Sequence, residues 1–133
     1  MNDILLFIME YCSDLYYLFG FRFVDSSYYE GDNSMVVLAK GNLQFVFTRD
    51  RGQMFLDIEG RIKMKRIFSF SIDLIRRLID GSREFNAILD KENGDFVNRN
   101  IDRIIDLFSE SKIETTKKEL ELIRRERMKI IFR

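Results

Sequence analysis

A chain of 133 residues and 16.0 kDa has the commonest domain size, and a hydrophobic fraction of 46% with 13 Phe and 5 Tyr excludes disorder. Lys plus Arg balance Asp plus Glu at 22 each, and histidine is absent. The usual general base and metal ligand are therefore missing, and most hydrolytic and metal-dependent mechanisms lose their ordinary centre.

The single cysteine, Cys12, excludes an internal disulfide and favours a reducing compartment. No run approaches the roughly 18 to 20 apolar residues that span a bilayer. The N-terminal MNDILLFIMEYCSD carries Asp3 where a signal peptide carries Lys or Arg, and Glu10 ends its apolar run early. A cytoplasmic protein with no membrane partner is expected. Charge is divided unevenly along the chain. Residues 1–60 carry nine acidic groups and four basic ones (Arg22, Lys40, Arg49, Arg51), a net of −5, and residues 61–133 carry 13 and 18, a net of +5. Such halves either build a dipolar surface that steers a charged partner or attract each other within the fold.

Apolar groups at Ile4, Ile8, Tyr11, Leu15 and Leu18 predict one helix over 3–19 with a single buried stripe, stopped by Gly20. Phe21 and Phe23 flank Arg22 as a strand does, and the acidic Glu30–Ser34 stretch reads as a turn, with Gly31 and Asn33 suited to positive φ. From Ser34 to Gly60 come three strands joined by tight turns at Gly41-Asn42 and Asp50-Arg51-Gly52. Leu43, Phe45 and Phe47 alternate with Gln44, Val46 and Thr48, and Met54, Leu56 and Ile58 with Phe55, Asp57 and Glu59. That pattern belongs to an antiparallel sheet buried on one side. Residues 61–70 continue as a last, positively charged edge strand, with Ile62, Met64 and Ile67 set against Arg61, Lys63 and Lys65.

Beyond Ser71 the period becomes helical. Ser71 caps a helix that buries Leu74, Ile75, Leu78 and Ile79 and ends at Gly81. Ser82–Asp90 fits a short helix carrying Phe85, Ile88 and Leu89, broken at Asn93-Gly94. Asp95 then caps a helix with Val97, Ile101, Ile104, Ile105 and Phe108 inward. A capping box at Ser111–Glu114 opens a charged helix to about Arg127. The apolar set of that last helix (Ile113, Leu120, Ile123, Ile130) is sparse, so it is expected to be exposed along much of its length, and the sequence leaves open whether it packs on the domain or extends from it. The fold class that follows is α+β. An antiparallel sheet of four or five strands is covered by N-terminal and C-terminal helices in one domain, 1–133, with its meander over about 21–68 and its helical part over 71–133.

Asp50, Arg51 and Gly52, with Arg49 beside them, present charge at a hairpin tip, yet Asp-x-Gly is also what a short turn requires. Asp57 and Glu59 share one strand face. Paired carboxylates do acid–base work or hold a divalent ion, but no third ligand is in view, so a solvated face that meets a basic partner is the simpler reading. The basic runs RIKMKR and KKELELIRRERMKIIFR fit a nucleic-acid footprint. Glu119, Glu121 and Glu126 and a pI near 6.3 weigh against it, and pairs such as Glu121–Arg125 describe a solvated helix face instead. Cys12 reads as a small buried hydrophobe. Gly-x-Gly spacing is absent, so no nucleotide cradle is proposed. No catalytic residue, metal or cofactor is expected.

In FGFRFVDS, SMVVL, LQFVFTRDRGQMFLDI and SIDLIRRLIDG the chain resembles small bacterial immunity proteins of polymorphic-toxin and contact-dependent growth inhibition systems. The shared layout is an N-terminal helix, a Val-rich strand, a strand running into Asp-Arg-Gly, another strand and a leucine-rich helix ending in Gly, over residues 1–81. The resemblance implies a cytosolic, non-enzymatic antidote that binds the C-terminal toxin domain of a sister cell and blocks it. Charge placement, independently, points to an acidic patch of Asp25, Glu30, Asp32, Asp57 and Glu59 that would mimic phosphate before a basic nuclease surface and speed association. Arg49, Asp50 and Arg51 are further candidate contacts. The rivals are a nucleic-acid-binding or regulatory module using the basic second half, and a small enzyme built on its carboxylates.

Overall fold

Tight turns and alternating side chains leave the central segment one arrangement, and the computed structural model, which describes residues 2–29, 33–62 and 65–131, has it. Strands β1 (Arg22–Tyr29), β2 (Asn33–Lys40), β3 (Leu43–Asp50), β4 (Gln53–Ile62) and β5 (Lys65–Ser71) form one sheet in sequential order. Every neighbouring pair is antiparallel. Helices α1 (Asn2–Tyr11), α2 (Ser13–Tyr17), α3 (Ile72–Asp80), α4 (Lys91–Leu107) and α5 (Ile113–Ile131) supply the other layer. The α+β class is therefore as expected, with five strands.

At the β3–β4 turn, Arg51 and Gly52 both take positive φ, 52° and 79°. Two left-handed residues between paired strands follow the natural right-handed twist of a hairpin. Asp50-Arg51-Gly52 is thus turn chemistry, with Arg51 sharing the left-handed role.

Burial falls on one side of each strand. Val36, Leu38, Phe45, Phe47, Leu56, Ile58, Phe68 and Phe70 belong to a single core with Ile4, Ile8 and Leu15, Ile72 and Ile75, Val97, Ile101 and Ile104, and Leu120. Gly60 lies in that layer because nothing larger fits. A Cβ there would stand 2.8 Å from the Phe68 ring and 3.0 Å from Ile113 Cδ1.

Several helical expectations are corrected. The helix expected over 3–19 is broken at Cys12, whose backbone leaves the helical region. The side-chain amide of Asn98 on α4 donates to the Tyr11 carbonyl at that break, which offsets the lost turn. Ser82–Asp90 is not helical. Beyond the end of β5 the edge of β4 needs a partner, and the Leu89 amide donates to the Met54 carbonyl at 2.7 Å, beside a bridge between Phe55 and Ile88. Asn93-Gly94 does not end a helix but lies inside α4. Asp90, not Asp95, is its cap and accepts from the Asn93 amide at 2.9 Å.

Buried Asn93 donates to the Asn86 and Ile88 carbonyls, which holds the preceding segment extended. Gly94 lets α4 approach α1, where a Cβ would come within 3.1 Å of Tyr11. The capping box at Ser111 does not form, since that hydroxyl faces Ser109 and α5 starts at Ile113. Residues 61–70 divide between β4 and β5, and Lys63 and Met64 lie outside the described residues.

Helix α5 packs on the body instead of extending away from it. Ile113 and Leu120 are buried as expected, whereas Ile130 is half exposed. Its C-terminal half is held by arginines. Arg124 donates to the Ser69 carbonyl at 2.9 Å and lies over Phe70, Arg127 pairs with buried Asp73 at 2.6 Å, and Glu126 meets Arg77. The outer edge of β5 is thereby shielded, which an edge strand requires to resist further pairing.

Candidate functional site: the helix-free face of the sheet

With all helices on one side, the other face presents the alternate residues of every strand. The hydrogen-bond register arranges them in rows. One row runs Asp25, Val37, Val46, Asp57, Ser71, and a parallel row holds Ala39, Gln44, Glu59 and Ser69. A third crosses Ser27, Met35, Thr48 and Phe55. The face curves around a shallow hollow of about 440 Å³ lined by Val37, Val46, Ala39, Gln44, Glu59 and Arg61 among others. Val37, although it faces away from the helices, is only 5% exposed.

Asp57 is half-buried on this face. Burial, first, and then the neighbouring Glu59 and Asp73 carboxylates raise its pKa above the ordinary range, while Arg124 opposes them. Glu59 has only 12% of its side chain exposed and lies 3.6 Å from Arg61. The expectation of a freely solvated acidic pair is therefore corrected. Both carboxylates are shielded, because the strands curl and neighbouring side chains crowd them. An arriving cation would relieve the repulsion that Asp57 now bears.

The sequence-derived candidates are brought together only in part: Asp25 and Glu59 line the same hollow. Asp25 shares a row with Asp57 but is three strand spacings away, roughly 14 Å, with the two valines between. Asp50 and Arg51 sit at the exposed hairpin tip, four residues along β4 from Asp57, or roughly 13 Å. Arg49 is on the opposite side of the sheet, in register with Ser34 and Met54. Glu30 and Asp32 lie outside the described residues.

Val37, Val46 and Arg61 were missed as members of the site, and so was the influence on Asp57 of the charges of Asp73 on α3 and Arg124 on α5. The first two were recoverable: the turns at 41–42 and 51–52 fix the register, and counting back from them sets Val37 against Val46 and Val46 against Asp57.

Nucleophilic chemistry finds no foothold at Cys12. The thiol is fully buried, and burial with a contribution from Asp95 pushes its pKa up to about 12, so it is protonated at neutral pH. Among the described residues no group of three or more His, Cys, Asp or Glu side chains is placed to hold a metal ion, and no helix is long and apolar enough to cross a membrane. The helix-free face carries methyl groups at its centre, carboxylates on both flanks and amide and hydroxyl groups between. Comparison with known protein families, curated proteins and solved structures gave no match.

Proposed function

We propose that this chain is a non-enzymatic immunity protein of the cytoplasm that neutralises a toxin domain by laying the helix-free face of its sheet on a basic surface of that toxin. The observation that carries the reading is the row Asp25–Val37–Val46–Asp57 with Glu59 beside it, an apolar strip between acidic ends with no helix over it. A nuclease that grips phosphates needs clustered Lys and Arg, and such a surface complements this row in charge. Asp57 adds a specific term. Its ionised form is disfavoured in the free protein by burial and by Glu59 and Asp73, so a partner's cation would stabilise that form and lower its pKa. The resemblance of residues 1–81 to immunity proteins supports a toxin domain as the partner, and the exposed chemistry of this face supports it as the surface.

The test is co-expression with the toxin domain encoded immediately upstream. Rescue of growth and copurification in equal amounts are expected. Reversing Asp57 and Glu59 together to Lys should slow association and flatten its salt dependence. A purified chain that ignores the neighbouring toxin domain would sink the proposal. Salt-steep binding to RNA or DNA in place of the toxin domain would do the same and promote the basic second half.

A further inference from the structure

The two edges of the sheet are treated differently. The edge of β5 is covered by α5 through Arg124, and the exposed part of β4 beyond it is taken up by Leu89. Among the described residues strand β1 pairs only with β2, and residues 22–26 along it are all exposed. Phe23 and Val24 are 49% and 56% exposed, and the apolar surface continues onto Met9 and Tyr17 of the adjoining helices, at 67% and 74%. A bare edge beside such a patch is a site for added strands. The strand contains neither Lys nor Pro to blunt it.

From this edge we infer that two copies of the chain pair antiparallel through β1, with Arg22 of one opposite Asp25 of the partner subunit on each side of the two-fold axis. The charge pattern names the second copy as occupant. In an isologous antiparallel pairing every residue meets the one whose number completes a fixed sum. When Arg22 is set against Asp25, the reciprocal pair forms by symmetry, and Phe23 falls opposite Val24 at the centre.

The bulge between Phe23 and Asp25 makes this possible. It brings Arg22 and Asp25 to the same side of the sheet, in register with Ala39 and Val37, whereas three steps along a regular strand would place them on opposite sides. Two residues separate the charged positions on both copies, so neither strand is offset against the other. Within one chain, Arg22 donates to the Tyr16 and Phe21 carbonyls and lies over the Tyr16 ring. Neither Arg22 nor Asp25 has an ion-pair partner among the described residues. The dimer joins two sheets into one ten-stranded sheet and sets the two helix-free faces side by side.

Sedimentation of the intact chain over a wide range of concentration should show a monomer–dimer equilibrium. Asp25→Arg should raise the dimer dissociation constant by about tenfold or more, because it opposes like charges twice in one interface. Arg22→Asp should do likewise, with its melting temperature checked because Arg22 also bonds two carbonyls of its own chain. The double exchange, Arg22→Asp with Asp25→Arg, restores both pairs in reverse and should return the dissociation constant to within about threefold of the starting protein, the residue of a rebuilt surface pair. A chain that stays monomeric throughout overturns the inference. So does a dimer indifferent to Asp25→Arg, or a double exchange that recovers nothing after the single reversals have weakened the dimer.

Discussion

On the helical side of the sheet Leu38, Phe45, Leu56 and Ile58 have no exposure, whereas one residue further along each strand Ala39, Val46, Asp57 and Glu59 are only partly covered. The backbone, the hydrogen bonds and the twist are common to both faces. Only the side-chain alternation differs, and it divides the work. Energy of folding is concentrated where rings interlock, with Phe21, Phe45 and Phe47 in a chain of contacts 5.1 and 6.4 Å apart. The other face contributes methyl groups and charged side chains that are only partly covered.

The sharpest way to break this contrast is to truncate neighbours in sequence that lie on opposite faces. Phe45→Ala should cost about 3–5 kcal/mol in denaturant unfolding, the range for a fully buried ring. Val46→Ala, one residue on, should cost about 1 kcal/mol or less, with its effect appearing in partner binding instead. Equal losses from the two would erase the division. A smaller effect is expected at Gly60, where the helical face is packed to contact. Gly60→Ala drives a methyl into the Phe68 ring and Ile113 and should cost about 1–3 kcal/mol. A neutral outcome there would mean that the Phe68 ring moves freely and that the layer is looser than its contacts show.

Much of this contrast was legible before any coordinates. Period-two alternation in β3 and β4, with Gly41 and Gly52 at the turns, specifies both register and the inward face, because a one-residue slip would turn every apolar group outward. The helices were less legible for physical reasons that single positions illustrate. The amides near Leu89 could serve a helix or complete the edge of β4, and only the short length of β5 decides between them. Asn93-Gly94 looks like a breaker until Tyr11 is seen to require a glycine against it.

The site was only partly readable. Asp57 and Glu59 lie two apart on one strand, but the bulge at Val24 and the stretch 30–32 detach Asp25 from any count made along the chain. The arginines that reach Asp73 and Ser69 come from α5, some fifty residues away in sequence. Nothing local reveals a contact of that span.

The finest test concerns Asp57, where the helix-free face is least at ease. Its folded pKa is raised, by burial first and then by Glu59 and Asp73. The folded chain therefore holds this proton more tightly than the unfolded chain does. Stability from the site is fully present below the ordinary carboxylate pKa of about 4 and is lost as pH rises through the raised folded value. Asp57→Asn should accordingly melt higher than the parent at neutral pH. The gain should be no more than about 1 kcal/mol, because the side chain is partly solvated and screening discounts the repulsion. The difference should shrink as pH falls below the carboxylate range, where the parent is also neutral at this position. Thermal melts across that interval decide the matter. If Asn instead lowers the melting temperature at neutral pH, attraction to Arg124 outweighs the repulsion, and the acidic pair is already satisfied by its own chain. A higher melting temperature means that the carboxylate is retained at a cost in stability, as a group kept for an incoming cation would be.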